Sequence, residues 1–136
     1  MIKRLHHVGI VTRDLDAAFP FYRDILGLPV DFSMELEQFK VKVAFLTAGE
    51  VQIELIQPLS GEIRAGQFLA ERGEGLYHMA LETDDIRRDV ERLKSEVEVV
   101  QDVFHAGNGT YECMLRKGGV LVQLIQPGQP GPVRQA

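Results

Sequence analysis

Four side chains hold most of the chemistry this chain could do: His7, Glu54, His78 and Gln123. Glu54 follows His7 by 47 residues and Gln123 follows His78 by 45, so a histidine-plus-oxygen pair occurs twice at nearly one spacing. Two imidazoles, a carboxylate and a carboxamide oxygen form a donor set for a divalent cation. Such N/O ligands suit Zn, Ni, Co, Fe or Mn and do not choose among them. A lone strand histidine is more often packed or hydrogen-bonded than ligating. The matched second copy is what makes His7 and His78 candidate ligands. Gln123 is the weakest of the four, since a carboxamide ligates less well than a carboxylate and can instead hold a bound water.

The elements that must position these residues repeat as well. VQIELIQP (51–58) returns as VLVQLIQP (120–127), offset by 69 residues. HHVGIVTRDLDAAF (6–19) aligns with YHMALETDDIRRDV (77–90) at an offset of 71, matching Thr12 with Thr83 and Asp14 with Asp85. Internal repetition at this scale governs the fold. Residues 5–11 read as a strand whose alternation sets Leu5, His7, Gly9 and Val11 on one face and His6, Val8 and Ile10 on the other. His6 is then a structural residue. Asp14 caps a helix towards Leu26, ended by Gly27 and kinked at Pro20, which lacks the N–H of an interior helical residue.

Strands follow at 29–36, 39–47 and 51–57, the last two joined by a Gly49-Glu50 hairpin turn. In 51–58, Gln52, Glu54 and Ile56 share a face while Val51, Ile53 and Leu55 share the apolar face that belongs against the helix. Glu54 therefore points into the concave side, where an unneutralised carboxylate would be costly. A connecting helix is expected over 60–72, stopped by Gly73. The second module predicts strand 77–83, helix 85–95 and strands 97–103, 111–116 and 120–126, with a turn at Gly118-Gly119. His105, in the HAGNGT loop, is expected to be exposed rather than ligating, with a place lining a pocket as the alternative. Cys113 reads as a small buried apolar residue.

Each half thus reads βαβββ. Because such a half has an open edge and a bare face, two of them predict an α+β fold. Its expected form is a curved eight-stranded sheet around a central cleft with helices outside. One domain over 1–136 is expected, with module 1 at about 1–59, a linker helix at 60–73, module 2 at 74–127 and a flexible tail at 128–136. A net charge of −5 argues against a nucleic-acid or anionic-membrane partner, though local basic residues could still hold a small anion. One cysteine allows no internal disulfide, and with no span-length apolar stretch or signal pattern a cytoplasmic location is expected.

The strings HHVGIVTRDLDAAFPFYRDILGL, VKVAFLTAG, VQIELIQPL, FLAERGEGLYHMALETDDI and GGVLVQLIQP resemble the vicinal oxygen chelate (glyoxalase/bleomycin resistance/dioxygenase) superfamily, and most of all its methylmalonyl-CoA epimerase branch. The resemblance runs from Leu5 to Pro127. It implies metal ligation by His7, Glu54 and His78. It also implies that Gln123 stands where epimerases and glyoxalases usually keep a glutamate that binds metal and handles the substrate proton. The glutamine and glutamate look exchanged between the modules, which preserves the ligand charge but removes a titrating group. The implied reaction is abstraction of a proton alpha to a carbonyl or CoA thioester, with Glu54 as the remaining base and Glu112, His105 or a metal-bound water as the second acid/base. The HPK segment of many epimerases is missing. MLRKGG stands there instead, and its Arg116 and Lys117 could meet a CoA phosphate or be solvated loop charges.

Two other functions compete. One is a glyoxalase-like lyase of the lactoylglutathione type. The other is a metal-free, bleomycin-resistance-like protein that only binds its ligand, a reading favoured by Gln123 and opposed by His7, Glu54 and His78. An iron dioxygenase would need its carboxylate in the second module, whereas Glu54 lies in the first. The expected partner is a small-molecule substrate, and the exposed sheet edges suggest a homodimer.

Overall fold

The computed structural model describes residues 1–128. The tail expected over 128–136 lies, beyond Gly128, outside the described residues. In chain order the elements are β1 (Ile2–Val11), α1 (Leu15–Phe19) running on into a π-helical segment (Pro20–Ile25), β2 (Val30–Leu36), a 3-10 turn (Glu37–Phe39), β3 (Val41–Ala48) and β4 (Val51–Pro58). Then come α2 (Arg64–Arg72), β5 (Gly75–Thr83), α3 (Ile86–Leu93), β6 (Glu98–Gly107), β7 (Thr110–Lys117) and β8 (Val120–Gln126). The strands form one sheet in the order β2-β3-β4-β1-β5-β8-β7-β6. The α+β class and the doubled βαβββ plan hold as the sequence predicts.

By contact the chain divides into two compact units, His7–Tyr77 in one and Met1–His6 with the chain from His78 onward in the other. Strand β1 contributes to both. In the His7–Tyr77 unit β4 runs parallel to β1 and antiparallel to β3, which sets Glu54 between Gly9 and Phe45. In the other unit β8 runs parallel to β5 and antiparallel to β7, which sets Gln123 between Ala80 and Met114. These are the positions that the offsets of 71 and 69 pair with Gly9 and Phe45. The register itself is duplicated.

One face of each half packs on its own helix. Leu15, Ala44, Leu46 and Leu55 form one buried cluster with Ala18, Phe19 and Tyr22 against it. Ile86, Val90, Cys113, Leu115 and Leu124 form the other. Helix entry is repeated too: Asp14 and Asp85 are the N-caps, and the side-chain oxygens of Gln57 and Gln126 accept from the N–H groups of Leu15 at 3.0 Å and Ile86 at 2.8 Å. The kink expected at Pro20 is a change of helix type. From that residue the ladder widens, and the Leu26 N–H donates to the Phe21 carbonyl at 2.9 Å.

The linker helix differs from expectation at its start, beginning at Arg64 rather than Ser60. The Ser60 hydroxyl accepts from the Glu62 N–H, making a local turn that competes with helix. That turn folds onto α2 so closely that any side chain at Gly66 would collide with the Ser60 carbonyl. Helix α2 packs on the other face of its half, where Ala65, Phe68 and Leu69 meet Val11, Val43, Phe45 and Ile56. The HAGNGT loop is also shorter than expected. β6 continues through His105 to Gly107, and the chain reverses at Asn108 and Gly109 with φ of 51° and 72°.

Candidate metal centre

His7 is buried, 3% exposed, and its Nε2 lies 3.3 Å from a carboxylate oxygen of the half-buried Glu54. Pairing explains the approach. Gly9, directly opposite Glu54, has no side chain, so the imidazole two residues earlier on the same face can lean along the strand to the carboxylate. Phe45, opposite Glu54 on the other side, meets the His7 ring edge-on with centroids 5.3 Å apart. Phe32 stacks on Phe45 at 4.8 Å. The carboxylate–imidazole pair thus sits against an aromatic wall that keeps water from one side of it.

In the other unit His78 is buried, and Gln123 is half-buried on the same face of the sheet. Met114 takes the place of Phe45 and Ala80 that of Gly9. The Gln123 side-chain oxygen is buried and meets no hydrogen-bond partner among the described residues. A buried acceptor left in that state is costly and calls for an explanation such as a bound ion.

One donor atom from each of His7, Glu54 and His78 lies within 4.8 Å of the others. Two imidazoles, a carboxylate and the orphaned carboxamide oxygen of Gln123 are chemically suited to a divalent first-row ion.

The remaining candidates fall elsewhere. Arg116 shares the Gln123 face of its half, and its guanidinium lies 3.8 Å from Glu98. Lys117 is on the opposite face, donating to the Glu96 carbonyl at 2.8 Å. His6 is buried on the face away from His7. His105 is exposed, and its Nε2 accepts from the Gly109 N–H at 3.1 Å, a turn-closing role. Cys113 is fully buried, and burial pushes its thiol up to about 11. The sequence reading did not pick out Phe45. Its signal was present, because a hairpin closing at Gly49-Glu50 sets Phe45 opposite Glu54.

A family model described as the Glyoxalase/Bleomycin resistance protein/Dioxygenase superfamily matches residues 6–114. The chain is 33% identical to the uncharacterized protein YqjC of Bacillus subtilis, over 93% of this chain and 94% of that one. It is also 33% identical to the mitochondrial methylmalonyl-CoA epimerase of Homo sapiens, over 90% of this chain and 73% of the relative. A variant of the Streptomyces coelicolor methylmalonyl-CoA epimerase, solved in complex with 2-nitronate-propionyl-CoA, matches with a TM-score of 0.84 and 30% identity, covering 93% of this chain and 98% of that one. With this register, this donor set and a family match over most of its length, the chain belongs to the glyoxalase/bleomycin resistance protein/dioxygenase superfamily.

Proposed function

We propose that this protein is a metal-dependent enzyme that moves a proton alpha to a CoA thioester carbonyl, in the manner of a methylmalonyl-CoA epimerase. The observation that carries the reading is the convergence of one donor atom each from His7, Glu54 and His78 within 4.8 Å. Relatives named as epimerases supply the substrate class. His7, Glu54 and His78 would hold the cation, with the Gln123 oxygen as the fourth donor. When bound, the cation supplies a Lewis acid that draws electron density from the carbonyl oxygen and so acidifies the neighbouring C–H.

The protein's own groups do the rest. Glu54 removes the proton as a positioned carboxylate, its orientation fixed by His7 and by the wall of Phe45 and Phe32. That wall also limits water, which keeps the field of the charged groups strong. Gln123 holds no titratable proton. Its amide can orient an oxygen and cannot return a proton to carbon. Arg116, half-exposed on the same face as Gln123, is available to an anionic group of the substrate, whereas Lys117 faces the helix side of its strand.

The test is metal analysis of the purified protein followed by incubation with methylmalonyl-CoA in D2O. Near-stoichiometric metal and deuterium appearing at the alpha carbon support the reading. Metal with turnover of a hemithioacetal and no exchange would assign a lyase instead. A metal-free protein that binds thioester without exchange would be a binding protein.

A further inference from the structure

We propose that Asn108 is a site of self-modification: it closes to a succinimide with Gly109, with His105 as the base, and opens to aspartate or isoaspartate. The inference lies beyond the proposed activity and does not depend on it. Asn108 is the chain's only asparagine, and a glycine follows it. Strands β6 and β7 pair Gly107 with Thr110, so Asn108 and Gly109 are the two residues of a tight hairpin turn. Both have positive φ, 51° and 72°, the conformation that makes Asn-Gly a favoured pair in such turns. The pair that suits the turn also suits ring closure. The backbone nitrogen of the next residue can close a five-membered ring on an asparagine side-chain carbon, and glycine has no side chain to obstruct the approach. The turn is exposed, so water reaches it.

An amide nitrogen is a poor nucleophile until its proton leaves, and here a base is in place. The Gly109 N–H donates to His105 Nε2 at 3.1 Å, within the reach required of a general base. Accepting that bond requires a lone pair on Nε2, the form of the ring that can take a proton. Tyr111, the cross-strand partner of His105, lies against the imidazole with centroids 5.1 Å apart, and the Arg87 guanidinium lies 5.6 Å over the Tyr111 ring. These contacts keep the imidazole aimed at the turn. The connection at the matching place in the first half is the 3-10 turn Glu37–Phe39, which has neither asparagine nor histidine.

The step balances without an oxidant or reductant. The Gly109 nitrogen loses its proton to His105 Nε2 and forms a bond to Asn108 Cγ. The Cγ–Nδ2 bond breaks, and the side-chain amide leaves as ammonia, carrying the proton that His105 returns. Water then opens the ring. Breaking the bond from nitrogen to Cγ gives aspartate. Breaking the bond from nitrogen to the main-chain carbonyl carbon gives isoaspartate, whose backbone runs through Cβ and Cγ. Either product adds one negative charge to a net −5. Isoaspartate also lengthens the two-residue turn by one backbone atom. That extra length works against the pairing of Gly107 with Thr110 and against Gly128, whose N–H donates to the Thr110 hydroxyl at 3.1 Å.

The experiment incubates the purified full chain at neutral pH and follows Asn108 by peptide mass mapping, with the aspartate and isoaspartate peptides separated by chromatography. The unsubstituted protein is compared with itself in concentrated urea, with His105→Ala, and with His105→Gln. The glutamine oxygen can still accept from the Gly109 N–H but is no base. Folded protein is expected to convert Asn108 faster than the urea-unfolded chain, and each variant is expected to slow the folded rate at least about tenfold. A histidine that only closed the turn would give the opposite pattern, since His105→Gln would change nothing and His105→Ala would loosen the turn and speed conversion. Conversion in either variant as fast as in the unsubstituted protein, or faster, overturns the assignment. So does a folded protein that keeps Asn108 intact while the urea-unfolded chain deamidates, a comparison that needs no variant to fold.

Discussion

The half that carries Glu54 and the half that carries Gln123 share one backbone register and present two different inner faces. On the helix side the matched positions keep their chemistry: Leu55 and Leu124, Leu15 and Ile86, Gln57 and Gln126 do the same work in both. On the other side Phe45 faces Met114, Val43 faces Glu112, Val11 faces Glu82 and Glu54 faces Gln123 in the alignment. Packing a helix on a sheet makes the same demand twice. A reactive centre does not, since it needs unlike groups in matching places. The difference separates residues that build the scaffold from residues that do chemistry.

The largest expected effect tests the two oxygen donors against each other. Glu54→Ala should abolish stoichiometric metal and lower alpha-proton exchange by at least about 100-fold, because it removes the charged ligand and the base together. Gln123→Ala should keep measurable metal, with affinity reduced by roughly tenfold. Metal content per chain and deuterium incorporation read both. Full metal and full exchange in Glu54→Ala would refute the base assignment. Gln123→Glu is expected to raise proton transfer, since it gives the second half a titrating donor.

The shared face predicts equal rather than unequal losses. Leu55 and Leu124 occupy matching places, 0% and 1% exposed, so truncating either to alanine should cost about 2–5 kcal/mol in denaturant unfolding. The two costs should agree within about 1 kcal/mol if the halves unfold as one cooperative system. A single broad transition, or one variant that melts only part of the signal, would mean that each half is stable on its own.

Most of this arrangement could be read from the chain. The duplicated strings fixed the βαβββ plan, the turns fixed the hairpin registers, and strand parity put His7 with Glu54 and His78 with Gln123. Three features were less legible. Helix α2 starts late because Ser60 makes its own turn and folds over Gly66. The segment after Pro20 is π-helical, a choice among helix types that composition does not encode. The acidic character of the Glu82–Ile125–Glu112 row emerges only when pairing brings three strands into one line.

A buried polar pair sets the next comparison. Thr83 donates to Asp89 of α3, which is 1% exposed and also accepts from Arg92 at 3.1 Å. At the place matching Asp89 the first half has Ala18, and Thr12 donates instead to Glu74, an exposed residue of the following connection, at 2.7 Å. Asp89→Ala should destabilise by about 1.5–3 kcal/mol in denaturant titration, because it strands a buried hydroxyl and a guanidinium partner. A loss no larger than that of the exposed counterpart would show that burial does not distinguish the two threonines.

The exposed counterpart gives the smallest effect and the one with a pH signature. Glu74 accepts from the Arg13 N–H at 2.9 Å as well as from Thr12, and these bonds, the backbone one foremost, hold its carboxyl below the ordinary value of 4.5. A carboxylate whose folded value is depressed adds stability above the unfolded value and loses it as pH falls through the folded one. Glu74→Gln should therefore reduce stability at neutral pH by less than about 1 kcal/mol, since solvent screens an exposed group. The gap between variant and unsubstituted protein should close as the pH drops below 4.5 through the lowered value. Thermal unfolding followed from pH 7 to pH 3 checks it. A gap that stayed constant across that range would mean that Glu74 acts by shape rather than charge, and that the threonine of the first half is anchored without an ionised partner.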